Sequence, residues 1–324
     1  MSTAFKRRAL CLGFGAWAVG VRTAFARAPA YPYAIHEQRS FALGTTVRAQ
    51  AVAGDPALAQ AACSAALRAI QRVDRLMSLY DADSEICRLN RDAALDHPDA
   101  WTLAVFEHAQ EQASRSFGAF DVTVQPLWKL FRSHADRSAV PPGTSVDAVR
   151  ARVGWRGLRV GAARLQLARP GMAVTLNGIA QGFAADRAVD AMRAAGALAG
   201  LVDAGELATL GAAPSGRPWS VALEAPQHGR EELIALDGCV ATSGDSVSWF
   251  TPDRRHHHIF DPRKGWSPTE LSTVSVVAAT ATQADAWSTA IMVGGETLAR
   301  RALELGEVRR VWLVDKQGRA GWVV

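Results

Sequence analysis

The chain is 324 residues long, about half of them apolar, with a formal net charge of +5 and four cysteines. Residues 1–26 hold Lys6, Arg7, Arg8 and Arg22 and no acid, so the rest carries only +1, and the basicity implies no nucleic-acid partner. Past Cys11, the cysteines Cys63, Cys87 and Cys239 are odd in number and form no Cys-x-x-Cys pair, which argues against a disulfide framework and a thiolate zinc site.

In chain order, residues 1–26 read as an export signal. Basic residues precede an apolar stretch from Ala9 to Val21 that is too short to span a bilayer, and Ala24-Phe25-Ala26 is a small-x-small site. Arg7-Arg8 ahead of a run containing Gly13 and Gly15 points to the twin-arginine route and a periplasmic destination. An ordinary secretory signal and a retained anchor are the alternatives. Residues 27–324 then make one elaborated domain or two intimate lobes, with Val140-Pro141-Pro142-Gly143 as a surface loop between lobes.

Residues 40–53 alternate around Gly44-Thr45-Thr46 and predict a strand or hairpin. Asp55 and Pro56 open a helix whose stripe is Ala59, Ala62, Ala66, Ile70, Val73 and Leu76, ending near Tyr80-Asp81. Helices follow over 99–116 and 178–195, closed by Gly118 and Gly196, with strand-like residues 157–176 between them. Short strands occupy 200–210, 218–224, 233–242 and 272–279. Helices over 283–293 and 296–305 precede a hairpin from Val308 to the end. Without the cadence of a doubly wound sheet, this order predicts a mixed α+β fold.

Four segments carry more polar chemistry than a core needs. In the first, residues 174–187, a β-branched run ends at Asn177-Gly178 and enters a helix, an arrangement suited to a phosphate; close helix packing accounts for Gly178 and Gly182 equally well. In the second, Asp285 and Thr289 stand one turn apart on a helix, where they can offer oxygen to a hard cation or merely complement the helix dipole. The third runs from Ala241 to Gly265. His256, His257 and His258 cannot all converge on one ion because neighbours on a strand point to opposite faces, while Arg263 and Lys264 offer charge to a phosphate or form an exposed basic loop. The fourth comprises residues 76–90 and 118–128, where polar groups beside aromatics suit a flavin-like ring, and capping explains much of the same pattern.

Together and in this order, these segments resemble the ApbE family of FAD:protein FMN transferases, over nearly the whole chain past the signal. The likeness rests on Gly44-Thr45, on Ser84-Glu85 with Asn90, and on Gly118, Phe120, Asp121, Thr123, Pro126 and Leu127. It continues through Asn177 to Asp186, Ala241 to Gly244, His258 to Gly265, and Asp285 with Thr289. Two departures stand out. Gln181 occupies the place of the family's usual lysine, so Arg187 or Arg263 would have to supply that charge, and Asp203-Ala204-Gly205-Glu206 replaces a double glycine.

The resemblance implies a two-lobed, T-fold-related α+β architecture of mixed sheets and packed helices, with FAD in the cleft as substrate. It implies FAD contacts from Gly44, Thr45, Met77, Tyr80, Ser84, Asn90, Asp121 and Thr123, then from Asn177, Gly178, Gln181, Asp203, Gly205 and Glu206, and finally from Ser243, Gly244, His258 and Arg263. It implies Mg2+ held by Asp285, Thr289 and the Ala180 carbonyl. A Thr or Ser hydroxyl of an acceptor protein, a subunit of a membrane electron-transfer complex facing the periplasm, would attack the FMN phosphorus and release AMP. The suited bases are imidazoles, and His258 is the expected one. The alternatives from the same pocket are a metal-dependent FAD pyrophosphatase and a flavin-binding or assembly protein without turnover.

Overall fold

The computed structural model describes residues 33–137 and 139–324, and the expected export signal lies outside them. The described chain opens with a hairpin of β1 (Ala34–Ala42) and β2 (Thr45–Ala53), in register Ala42 to Thr45. Its two-residue turn has Leu43 at φ 53° and Gly44 at φ 75°, so both residues are left-handed, as a tight hairpin demands. The expected strand at residue 40 therefore begins six residues earlier, where the solvent-facing side alternates with a half-buried one.

Helix α1 (Pro56–Met77) starts where Asp55 accepts a hydrogen bond from Leu58 N at 2.9 Å, and Pro56 takes a first-turn position that needs no donor. Its buried face, Ala59, Ala62, Cys63, Ala66, Ile70 and Val73, packs on β1, β2 and α6 (Ala180–Ala194). Helix α6 is also rich in small buried residues, among them Ala184, Ala185 and Ala188, which lets it pack closely on its neighbours.

Eight antiparallel strands form the main sheet in the order β1-β2-β6-β7-β10-β11-β12-β13. They include β6 (Ala199–Asp203), β7 (Leu207–Leu210), β10 (Cys239–Gly244), β11 (Leu271–Ala278), β12 (Arg310–Asp315) and β13 (Ala320–Trp322). Strand periodicity divides this sheet between two cores. Val274, Val276 and Ala278 of β11 face α1, α6 and α7 (Ala281–Glu304), whereas Val277 faces the other way with Leu207, Val240, Trp312 and Val314. That second face is covered by the hairpin β8 (Trp219–Ala225) and β9 (Arg230–Leu236), through Val221, Leu223 and Ile234. Every residue of β11 is consequently buried. Helix α7 is broken at Gly295, φ 68° and ψ −167°, which gives the two helical segments read from the sequence.

The rest of the fold is a helical and aromatic annex. It contains α2 (Glu85–Asp92), α3 (Ala100–Arg115), α4 (Gln125–Ala135), α5 (Gly143–Arg150) and a small sheet of β3 (Ala94–Asp96), β5 (Arg164–Leu167) and β4 (Leu158–Gly161). Pro141-Pro142 joins α4 to α5, which pack on each other with Leu127, Phe131, Val146 and Phe260, so this break separates two neighbours and not two lobes. Residues 172–176, expected as strand, join no ladder. Asn90 holds them instead, donating to Val174 O at 2.9 Å and accepting from Val174 N at 2.6 Å, while Thr175 N donates to Val122 O. The fold is α+β, and none of the described helices is long and apolar enough to cross a membrane.

Candidate active site

One cleft runs between the first turn of α6, the end of β10, the start of α7 and a loop hairpin over residues 248–258. Its inner part is lined by Phe120, Asp121, Gly178, Glu206, Ser243, Gly244, Asp285 and Thr289. Its outer part is lined by Gly44, Asp74, Met77, Tyr80 and Ala180, and Asn177, Gln181, Val247 and His258 belong to both parts.

The α6–α7 junction fixes the inner part. Asp186 of α6 accepts from Ala281 N at 2.8 Å, from Thr282 N at 2.9 Å and from the Thr282 hydroxyl at 2.5 Å, so one carboxylate clasps the first turn of α7. Gly182 faces the same turn. A Cβ there would lie 2.2 Å from Ala281 O, so only glycine fits, and its N–H donates to Asp285 Oδ2 at 3.0 Å. Packing thus accounts for Gly182. At Gly178 a Cβ would lie 2.8 Å from Thr289 Oγ1, which brings the strand-to-helix turn directly over the Asp285 and Thr289 face. Ser243 links β10 to the same place, its hydroxyl 2.7 Å from that of Ser288 and 3.2 Å from that of Thr289.

The electrostatics are unusual for a site that would hold a diphosphate. Burial pushes the Asp285 carboxyl up to about 7 despite the Gly182 bond. Glu206, 6 % exposed, accepts from Thr242 N at 2.9 Å, and burial together with the charge of Asp285 raises its carboxyl well above the ordinary range. No Lys or Arg is among the described residues that line the cleft. Two buried carboxylates with hydroxyls beside them and no cationic side chain form an oxygen donor set that fits a hard divalent cation. Asp285 and Thr289 border the inner part and Ala180 the outer part, beside the residues common to both. Among the described residues no group of three or more His, Cys, Asp or Glu is arranged as a metal cage, so main-chain oxygens, hydroxyls and substrate would complete the shell.

The three histidines go to three different places. His256 stacks in the aromatic cluster, 5.7 Å from Phe131 and 5.5 Å from Trp266. His257 is fully buried, its Nε2 3.0 Å from Pro268 O, and burial brings it down to about 3. Only His258 lines the cleft. Its Nδ1 lies 2.9 Å from Ser248 O, and a carbonyl can only accept, so Nδ1 carries the hydrogen and Nε2 keeps the lone pair. Burial lowers its proton affinity, so the ring is neutral at pH 7.

Several of the expected contacts also carry the hydrogen bonds or packing that hold the scaffold. Thr45 is buried at the start of β2. Ser84 caps α2 and donates to Ser78 O, holding the turn that carries Tyr80. Asn90 braces Val174. Asp121 lines the cleft, but its oxygens accept from Thr123 N, the Thr123 hydroxyl and Trp155 N, and Thr123 in turn accepts from Gly154 N. Asp203 accepts from Gly205 N, and Gly205, at φ 98°, leaves the room that the Gln181 amide occupies, since a Cβ would lie 2.4 Å from Gln181 Nε2. Arg263 lies outside the cleft lining, its guanidinium bonded to both oxygens of Asp261, and Arg187 is paired with Asp190, so neither supplies the charge a lysine at 181 would bring. The sequence reading missed Asp74 and Val247, whose only signal was proximity to the motifs, and gave Phe120 a place in a motif but no role in the site.

The chain is similar in sequence and fold to known proteins. The ApbE family profile matches residues 43–312. A Klebsiella pneumoniae FAD:protein FMN transferase is 30% identical over 294 residues, covering 85% of this chain and 83% of that protein, and one from Treponema pallidum is 32% identical over 286 residues, covering 80% and 79%. Among solved structures, the ApbE protein of Thermotoga maritima superposes with a TM-score of 0.79 at 27% identity, covering 89% of this chain and 96% of that one. Pseudomonas stutzeri flavinyl transferase ApbE superposes with 0.77 at 28%, covering 91% and 95%. This chain belongs to the ApbE family and has the fold of its flavin transferases.

Proposed function

We propose that this chain transfers the FMN half of FAD to a Thr or Ser hydroxyl of another protein, forming a phosphoester and releasing AMP, with Mg2+ required. The observation that carries the reading is the convergence of Asp285, Thr289, the Gly178 turn and His258 on one cleft. His258 takes the proton of the acceptor hydroxyl on Nε2 while its Nδ1 stays bonded to Ser248 O. The hydroxyl oxygen bonds to the FMN phosphorus, the bond from that phosphorus to the bridging oxygen breaks, and AMP leaves with the bridging oxygen. Mg2+ at Asp285, Thr289 and the Ala180 carbonyl supplies the charge neutralisation that the pyrophosphate demands and that no Lys or Arg of the cleft lining offers. Thr175–Gly178 and Gln181 orient the phosphates, and Met77 and Tyr80 border the outer part, where the flavin ring sits.

The acceptor belongs to a membrane electron-transfer complex with a domain facing the periplasm, and the chain reaches that compartment through its Arg7-Arg8 signal. Incubation with FAD, Mg2+ and a candidate acceptor tests the activity. Flavin fluorescence that stays on the acceptor in a denaturing gel supports transfer, whereas AMP and free FMN without labelling would replace it with hydrolysis. Fusing residues 1–40 to a reporter that matures only when exported folded tests the route, and a Lys pair in place of Arg7-Arg8 should block it.

A further inference from the structure

Beyond the cleft lining lies a buried ion pair that the proposed reaction does not use. Asp245 follows directly on β10 and is 2 % exposed. Its Oδ2 accepts from Lys316 Nζ at 2.6 Å, and its Oδ1, also buried, has no hydrogen-bond partner among the described residues. Lys316, in the turn between β12 and β13, also donates to Arg254 O at 3.2 Å. Asp245 lies just before the loop hairpin 248–258 and Arg254 at its tip, and the hairpin's own ladder runs from Phe250 N to His256 O and from His258 N to Ser248 O. One ammonium therefore ties the base and the tip of the hairpin that bears His258.

We propose that Asp245 and Lys316 are positioning residues that hold the His258 hairpin against the cleft and set, through their opposed charges, how readily the ring takes up a proton. This inference rests on the reading of His258 as proton acceptor. The Asp245 charge favours the protonated ring and opposes the desolvation that disfavours it. The ammonium 2.6 Å from that carboxylate opposes its field. Other titratable groups about the ring are His257 beside it, Asp74 of α1, and Asp121, Glu206 and Asp285 in the shared cleft. The Lys316 charge also lowers the proton affinity of His257, so the His257 resonances are followed alongside those of His258.

The test is a set of variants, D245N, K316M, K316R and the double variant D245N/K316M, in full-length processed protein. Two readouts are needed: titration of His258 by NMR of carbon-13-histidine-labelled protein, assigned with H258Q, and the pH profile of flavin transfer to the acceptor at saturating FAD and Mg2+. Losing the carboxylate should lower the His258 midpoint, and losing the ammonium should raise it, each by about half a pH unit or more. The double variant and K316R should return close to wild type. A merely structural pair would move both single variants the same way or not at all, and either result overturns the inference. Opposite NMR shifts with an unmoved acid limb of the activity profile would uphold the coupling and reject His258 as the proton acceptor.

Discussion

Replacing Asp285 by Asn should change the pH dependence of folding as well as the activity. The Asn keeps an oxygen for the Gly182 N–H and removes the charge. In the wild-type fold the carboxyl is raised from 3.8 to about 7, so its protonated form is the one the fold favours. Stability is then full below pH 4 and is lost progressively up to pH 7. At about 1.4 kcal/mol per pH unit, that loss is on the order of 4 kcal/mol, or about 10 °C in Tm. The metal-free wild type should therefore melt lower at pH 8 than at pH 5 by several degrees more than D285N does. Mg2+ needs the ionised carboxylate, so 100-fold excess over its dissociation constant should return about 3 kcal/mol at pH 8 in the wild type and little in D285N. Thermal unfolding at both pH values, with EDTA and with Mg2+, gives all four comparisons. Equal pH slopes in the two proteins, or an equal rise with Mg2+, would refute the argument that Asp285 is a strained carboxylate awaiting a cation.

His258→Ala should slow transfer about 100-fold or more with FAD affinity largely kept, measured by single-turnover labelling and flavin-fluorescence titration. Gln181→Lys places an ammonium in a cleft whose inner lining has three buried carboxylates and no cationic side chain, so it should tighten FAD binding and lower the Mg2+ concentration needed for half-maximal rate. Asn90→Ala removes both bonds to Val174 and should cost about 1–3 kcal/mol in denaturant unfolding, with KM for FAD raised more than kcat is lowered.

Much of the site was legible because its residues lie at element ends, where glycines and polar groups have no core role. Gly178, Asp285 and Thr289 sit in short segments whose helical register alone brings Asp285 beside Thr289, and alternation on a strand separated His257 from His258. The scaffolding roles were not legible because each depends on a partner far along the chain. Asn90 looks like a ligand until Val174, 84 residues on, is seen between its amide atoms. Arg263 looks free until Asp261 takes up its charge, and Asp121 looks like a plain FAD contact until three donors are seen on its oxygens. Helix α5 escaped because Pro142, which reads as part of a break, stands just before its start, where a missing N–H costs nothing.

The clasp of Asp186 on the first turn of α7 has a mechanical consequence. Helices α6 and α7 are joined there through three hydrogen bonds and a glycine contact, so the wall bearing Asp285 and Thr289 moves as one block with the sheet. The opposite wall is pinned from several sides, by Phe250 and His256 on Phe131, by His257 bonded to Ser267 and Pro268, and by Lys316 at Asp245 and Arg254. Amide exchange should therefore be slow along the α6–α7 seam and in the buried part of the hairpin around His257.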